Sequence, residues 1–121
     1  MSKTVLLIED EPNIIEAISF ILSRDGWTVA THSNGHDAND VIVRRKPDLV
    51  ILDVMLPGKS GFDILRDLRQ DAQFQDLPVL MLTARGQAKD RELAEALGVS
   101  RFMTKPFSNA DVLAAANGLV P

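Results

Sequence analysis

Short apolar runs alternate along the chain with stretches in which apolar residues recur every three or four positions. The runs are Val5–Ile8, Trp27–Thr31, Leu49–Leu52, Val79–Leu82 and Phe102–Thr104. Three of them are continuously apolar, as a parallel strand covered by helices on both faces requires. The intervening stretches read as helices with legible ends. Pro12 suits a first helical turn, and Ile14, Ile18, Ile21 and Leu22 follow at helical spacing up to Gly26, a C-terminal stop. A second helix carries Ala38, Val41 and Ile42, and Pro47 bars its continuation. Ser60 caps a third with Phe62, Leu65 and Leu68, and a fourth carries Leu93, Ala94 and Leu97 before Gly98. Ser108 and Asp111 form a box-like cap for a fifth, which carries Val112, Leu113 and Ala116.

Five strand–helix units in 121 residues predict an α/β domain with a parallel sheet. A closed eight-fold barrel needs roughly twice that length. The expected architecture is therefore a (βα)5 open, doubly wound sheet, one domain over residues 1–121. Trp27 is expected to start the second strand.

Composition narrows the function. Hydrophobic residues make up 45% and charged residues 25%, an ordinary globular balance, and no apolar run approaches the roughly 20 residues of a membrane span. The start of the chain lacks the features of a secretory signal, so a cytoplasmic location is expected. There is no cysteine, which excludes disulfides, thiolate metal sites and Cys nucleophiles. A net charge of −4 argues against direct nucleic-acid binding. His32 and His36 have no His or Cys companions elsewhere and read as solvated surface.

In an open α/β sheet the ligand site lies beyond the carboxyl ends of the strands. Strand 1 ends in Glu9, Asp10 and Glu11, strand 3 in Asp53, strand 4 in Thr83 and strand 5 in Thr104-Lys105-Pro106. With strand order 2-1-3-4-5, Glu9, Asp10 and Asp53 converge. Clustered carboxylates repel unless neutralised, and a hard divalent cation such as Mg²⁺ is their natural partner. Mg²⁺ with Lys105 turns an acidic cluster into a phosphate site, and Thr83 adds a hydroxyl donor. Phosphoryl transfer asks the protein for little beyond positioning and charge neutralisation, and a carboxylate serves as its nucleophile in an aspartyl phosphate. Asp53 is the candidate nucleophile, placed between the acids and Lys105.

These residues resemble those of the response-regulator receiver domains of two-component signalling, which have a flavodoxin-like fold. The matching pieces are Ile8-Glu9-Asp10-Glu11, Leu52-Asp53-Val54-Met55-Leu56-Pro57-Gly58, Leu82-Thr83-Ala84 and Thr104-Lys105-Pro106-Phe107. They stand in order, with 43 residues from Asp10 to Asp53, 30 more to Thr83 and 22 more to Lys105. The resemblance implies that Asp53 accepts a phosphoryl group from a sensor histidine kinase or phosphotransfer protein. It implies Mg²⁺ held by Asp10, Asp53 and the backbone carbonyl of Met55, with Glu9 acting through water, and phosphoryl oxygens held by Thr83 and Lys105. It further implies a cis bond before Pro106, a switch formed by Thr83 and Phe102, and hydrolysis tuned by Met55 and Arg85. Signal output would pass through the surface of the fourth helix, fifth strand and fifth helix to another domain or protein. Such a domain is a signalling phosphoacceptor that catalyses only its own phosphorylation and slow dephosphorylation, not an enzyme acting on other substrates.

Departures from the family pattern are local. Glu9 stands where an aspartate is frequent, and Phe102 where a tyrosine is frequent. Arg91 and Asp111 fit the charged pairs by which the winged-helix branch dimerises, but Arg101 and Ala115 break that set, so this dimer is not expected. No DNA-binding segment is visible; the chain is expected to be a stand-alone receiver or a piece of a longer protein. A phosphatase of the haloacid-dehalogenase type would need an acid where Met55 stands, and a flavodoxin-type carrier a Gly/Ser/Thr-rich loop after the first strand. A binding module independent of phosphorylation would be expected to lack Asp53, Lys105 or the acid pair.

Overall fold

A computed structural model describes residues 3–84 and 88–121. Five strands and five helices alternate: β1 (Thr4–Ile8), α1 (Pro12–Arg24), β2 (Thr28–His32), α2 (Ala38–Arg45), β3 (Leu49–Asp53), α3 (Gly61–Gln70), β4 (Val79–Thr83), α4 (Ala88–Ala96), β5 (Arg101–Thr104) and α5 (Asn109–Leu119). The strands form one parallel sheet in the order β2-β1-β3-β4-β5, the expected doubly wound topology.

Alternate strand residues feed two separate cores, because side chains along a strand point to opposite faces. Leu6, Ile8, Val50, Leu52, Val79, Met81 and Phe102 pack with residues of α2, α3 and α4. Val5, Leu7, Leu49, Ile51, Leu80 and Leu82 pack with α1 and α5 through Ile18, Leu22, Val112, Ala115 and Ala116. All five residues of β3 and of β4 are buried, whereas β2, at the sheet edge, has none buried. The caps follow the sequence: Ser60 and Ser108 accept backbone N–H bonds from Asp63 and Asp111, and Gly26 follows α1 with φ +98°.

Four residues depart from their expected places. Trp27 precedes β2; it is buried beside α1 and α5, and its indole N–H donates to Asn117 Oδ1 at 3.2 Å. His32 is half-buried and lies 2.6 Å from Asp37 through Nε2, so it is not simply a solvated residue. Leu93 is exposed, and Ala94 alone of the expected α4 residues is fully buried. The helix ends at Ala96, which leaves Leu97 as a partly buried residue beyond it.

The turn after β3 is held close to the sheet. Val54 N–H donates to Leu82 O at 3.0 Å, and Gly61 N–H donates to Val54 O at 2.9 Å. A Cβ on Gly61 would sit 2.4 Å from the Asp53 carbonyl oxygen, so only glycine fits there without moving the backbone that carries Asp53. Gly61→Ala is expected to destabilise the chain by about 1–3 kcal/mol, the usual penalty for overpacking. Chemical denaturation measures the loss, and amide shifts at 53–55 should accompany it.

Candidate functional site

Register brings the candidate residues together. Ile8 pairs with Leu52, so Glu9, the next residue after β1, lies beside Asp53 at the end of β3. Asp53 pairs with Leu82, and Thr83 pairs with Thr104, which places Thr83 and Lys105 on the neighbouring strand ends. The Lys105 amide donates to Thr83 O at 2.7 Å, and the Lys105–Pro106 peptide is cis.

Glu9 is fully buried and Asp53 is 2% exposed, while Asp10 is exposed at the rim. One carboxylate oxygen from each of these three lies within 4.8 Å of the others. Lys105 Nζ lies 3.0 Å from Glu9 Oε1, 3.3 Å from Glu11 Oε1 and 3.5 Å from Asp53 Oδ2. One ammonium is thus shared by three carboxylates, and Asp10 adds a fourth. Backbone donors do little to relieve them: Asp10 N–H reaches Glu9 Oε2 at 3.2 Å, and Met55 N–H reaches Asp53 Oδ1 at 3.3 Å. Thr83, 1% exposed, completes the floor of the site, and the Met55 side chain stands out at its mouth.

The electrostatics follow from burial. Desolvation, reinforced by the neighbouring Asp53, pushes the Glu9 carboxyl up from 4.5 to about 8, against the opposing pull of Lys105. Burial alone would lower the Lys105 ammonium, but the contacts with Glu9, Asp53 and Glu11 together carry it above its ordinary value. Excess negative charge on oxygen donors is what a hard divalent cation neutralises, so the residues fit Mg²⁺ by number, charge and donor type.

Phe102 is already inside, 6% exposed in the core beneath α4, with the Arg91 guanidinium 4.9 Å from its ring centroid. Arg85 lies outside the described residues. Glu11 was legible only as the third acid of a run; its contact with Lys105 became visible once β5 was placed beside β4 and the lysine stem crossed the strand ends. A hollow of about 460 Å³, lined in part by Glu11, Ile14, Ala17, Lys105 and Phe107, opens next to that contact.

The raised Glu9 carboxyl fixes a pH dependence in the absence of divalent cation. Between pH 4.5 and about 8 the folded chain binds a proton at Glu9 that the unfolded chain has released. Stability therefore falls as pH rises through that window. Lys105 is charged in both states there, and its contribution is lost only at higher pH. Thermal melting at pH 5, 6.5 and 8 checks the sign, and Mg²⁺ should raise the midpoint more at pH 8 than at pH 5.

Residues 5–117 match the model of the response regulator receiver domain. The chain is 40% identical over 114 residues to the phosphate regulon transcriptional regulatory protein PhoB of Pseudomonas aeruginosa, covering 94% of this chain and 50% of that protein. It thus spans about half the length of that curated relative. Among solved structures, the BeF3-activated N-terminal receiver domain of Klebsiella pneumoniae RstA superposes with a TM-score of 0.89 at 33% identity, covering 98% of this chain and 100% of that one. The chemotaxis response regulator CheY4 of Vibrio cholerae gives 0.91 at 26% identity, covering 99% and 100%. A 113-residue family match and a flavodoxin-like sheet of the expected order, with an acidic cluster at its strand ends, leave one assignment: the chain belongs to the response regulator receiver domain family.

Proposed function

We propose that residues 1–121 form one receiver domain in which Asp53 is the phosphoacceptor. The observation that carries this reading is the buried Asp53 carboxylate, set 3.5 Å from the Lys105 ammonium and clustered with Glu9 and Asp10. An Asp53 oxygen attacks the phosphorus of a phosphohistidine on a sensor kinase or phosphotransfer protein. A P–O bond forms, the P–N bond breaks, and the electron pair leaves on the donor imidazole. Lys105 and the Thr83 hydroxyl take the phosphoryl oxygens, since Thr83 ends the strand beside Asp53 and the Lys105 ammonium reaches across to within 3.5 Å of it. Mg²⁺ would be held by Asp10, Asp53 and the Met55 carbonyl, with Glu9 through water; bound, it supplies neutralisation of the charge that builds up on the phosphoryl oxygens. Cytoplasmic location is part of the same reading. Among the described residues no helix is long and apolar enough to cross a membrane.

Output passes through α4, β5 and α5. Phe102 lies beneath α4 and Arg91 covers its ring, so a shift of Thr83 at the end of β4 is felt at that surface through the neighbouring β5. The ligand of this switch is the phosphoryl group, which acts by binding one conformation better than the other. An output domain or a separate protein reads the changed surface. Direct nucleic-acid binding by this domain is not part of the reading. The Arg91–Phe102 contact occupies one of the charges that a dimer through the same surface would use.

Incubation with acetyl phosphate and Mg²⁺ is expected to add one phosphoryl group, labile to hydroxylamine and absent in Asp53→Ala. Intact-mass spectrometry reads it, and an adduct that persists in the variant would move the acceptor elsewhere. Met55, whose amide reaches Asp53 Oδ1, has a side chain that is 56% exposed, and its thioether accepts hydrogen bonds poorly. Met55→Asn is expected to speed loss of the phosphoryl group roughly fivefold, the worth of about one hydrogen bond to the attacking water. Decay of the adduct after removal of acetyl phosphate measures it.

A further inference from the structure

Lys105 is held asymmetrically. Its two shortest carboxylate contacts, Glu9 at 3.0 Å and Glu11 at 3.3 Å, both come from the segment between β1 and α1, and Asp53 is the farthest at 3.5 Å. The two near partners differ in kind. Glu9 is fully buried and its position is set by β1, whose next amide donates to His32 O. Glu11 is 58% exposed in its side chain and makes no capping bond at the start of α1. Its only polar side-chain contact among the described residues is with Lys105. A long, exposed acid with one partner is a counter-ion that a stronger anion displaces.

We propose that Glu11 is a positioning residue for Lys105, a displaceable counter-ion that draws the ammonium toward the β1–α1 side until Asp53 carries a phosphoryl group. The inference rests on the reading of Asp53 as phosphoacceptor. In the resting chain Glu11 supplies the outermost third of the ammonium's coordination, facing the hollow beside α1. When anionic oxygens gather on Asp53, Lys105 turns to them and releases Glu11, while Glu9 keeps its place. The work of releasing Glu11 is subtracted from the affinity of Lys105 for the phosphoryl group. Glu11 therefore biases the resting population, although it touches neither the acceptor nor the donor.

The test compares the wild-type chain with Glu11→Gln and Glu11→Asp, using beryllofluoride with Mg²⁺ as the phosphoryl mimic. Glu11→Gln should tighten its binding about two- to fivefold at low salt, the worth of an exposed ion pair. Glu11→Asp keeps the charge but is one methylene short of Lys105, so it should show most of the same gain. In the cation-free chain, the side-chain ¹⁵N signal of the Lys105 ammonium should shift in both variants. A Glu11→Asp chain that behaves as wild type while Glu11→Gln gains would show that general charge alone is at work, and would overturn the proposal. Unchanged affinity in both variants, or an unmoved Lys105 signal, would overturn it as well. If the wild-type chain does not bind the mimic, or Asp53→Ala binds it equally well, the phosphoacceptor reading fails instead; the Lys105 signal still decides whether Glu11 positions the ammonium.

Discussion

One ammonium facing too many carboxylates is the constraint on which the rest of the site depends. Parallel register puts Glu9 beside Asp53, both out of water, and leads Lys105 across the strand ends to meet them. Unpaired charge in such a place is costly, and like charges make it costlier. The Glu9 carboxyl responds by holding its proton up to about pH 8. A divalent cation or a rearranged lysine relieves the same excess. The site is thus unstable by construction toward anything that alters its charge, which is the property a charge-triggered switch needs.

That constraint shapes its surroundings. Gly61 lets the turn after β3 close against Asp53, since a Cβ there would meet the Asp53 carbonyl. Ser60 caps α3 immediately beside it, so the loop carrying Met55 is anchored at both ends. On the far side, Thr83 links the site to β4, and the Lys105 amide is bonded to Thr83 O. Short steps of hydrogen bonding and packing thus join Asp53 to the strand ends next to Phe102 and α4.

Most of the fold was legible because its signals are local. The buried runs of β3 and β4, the serine caps and the glycine stops need no knowledge of distant contacts. The acids, Thr83 and Lys105 were legible because a parallel sheet collects its strand ends on one edge. What escaped depends on partners far along the chain. Trp27 looks like a strand residue until Asn117 of α5 is placed 3.2 Å from its indole nitrogen. His32 looks solvated until Asp37 folds back over it. Leu93 satisfies a helical period, yet α4 turns Ala94 inward and leaves Leu93 outside. Glu11 carries no signal of its own beyond its place in an acidic run, because its role depends on where the Lys105 stem ends.

The most direct test of the central claim is thermal melting of Glu9→Gln and Asp53→Asn at pH 8.5 with divalent cations removed. Each substitution deletes one of the crowded buried charges and keeps the shape of the side chain. If excess carboxylate charge is what the site is built on, both variants melt higher than the wild-type chain, and added Mg²⁺ narrows the difference. Lower melting in both variants would mean that Lys105 already balances the acids, and would contradict the account.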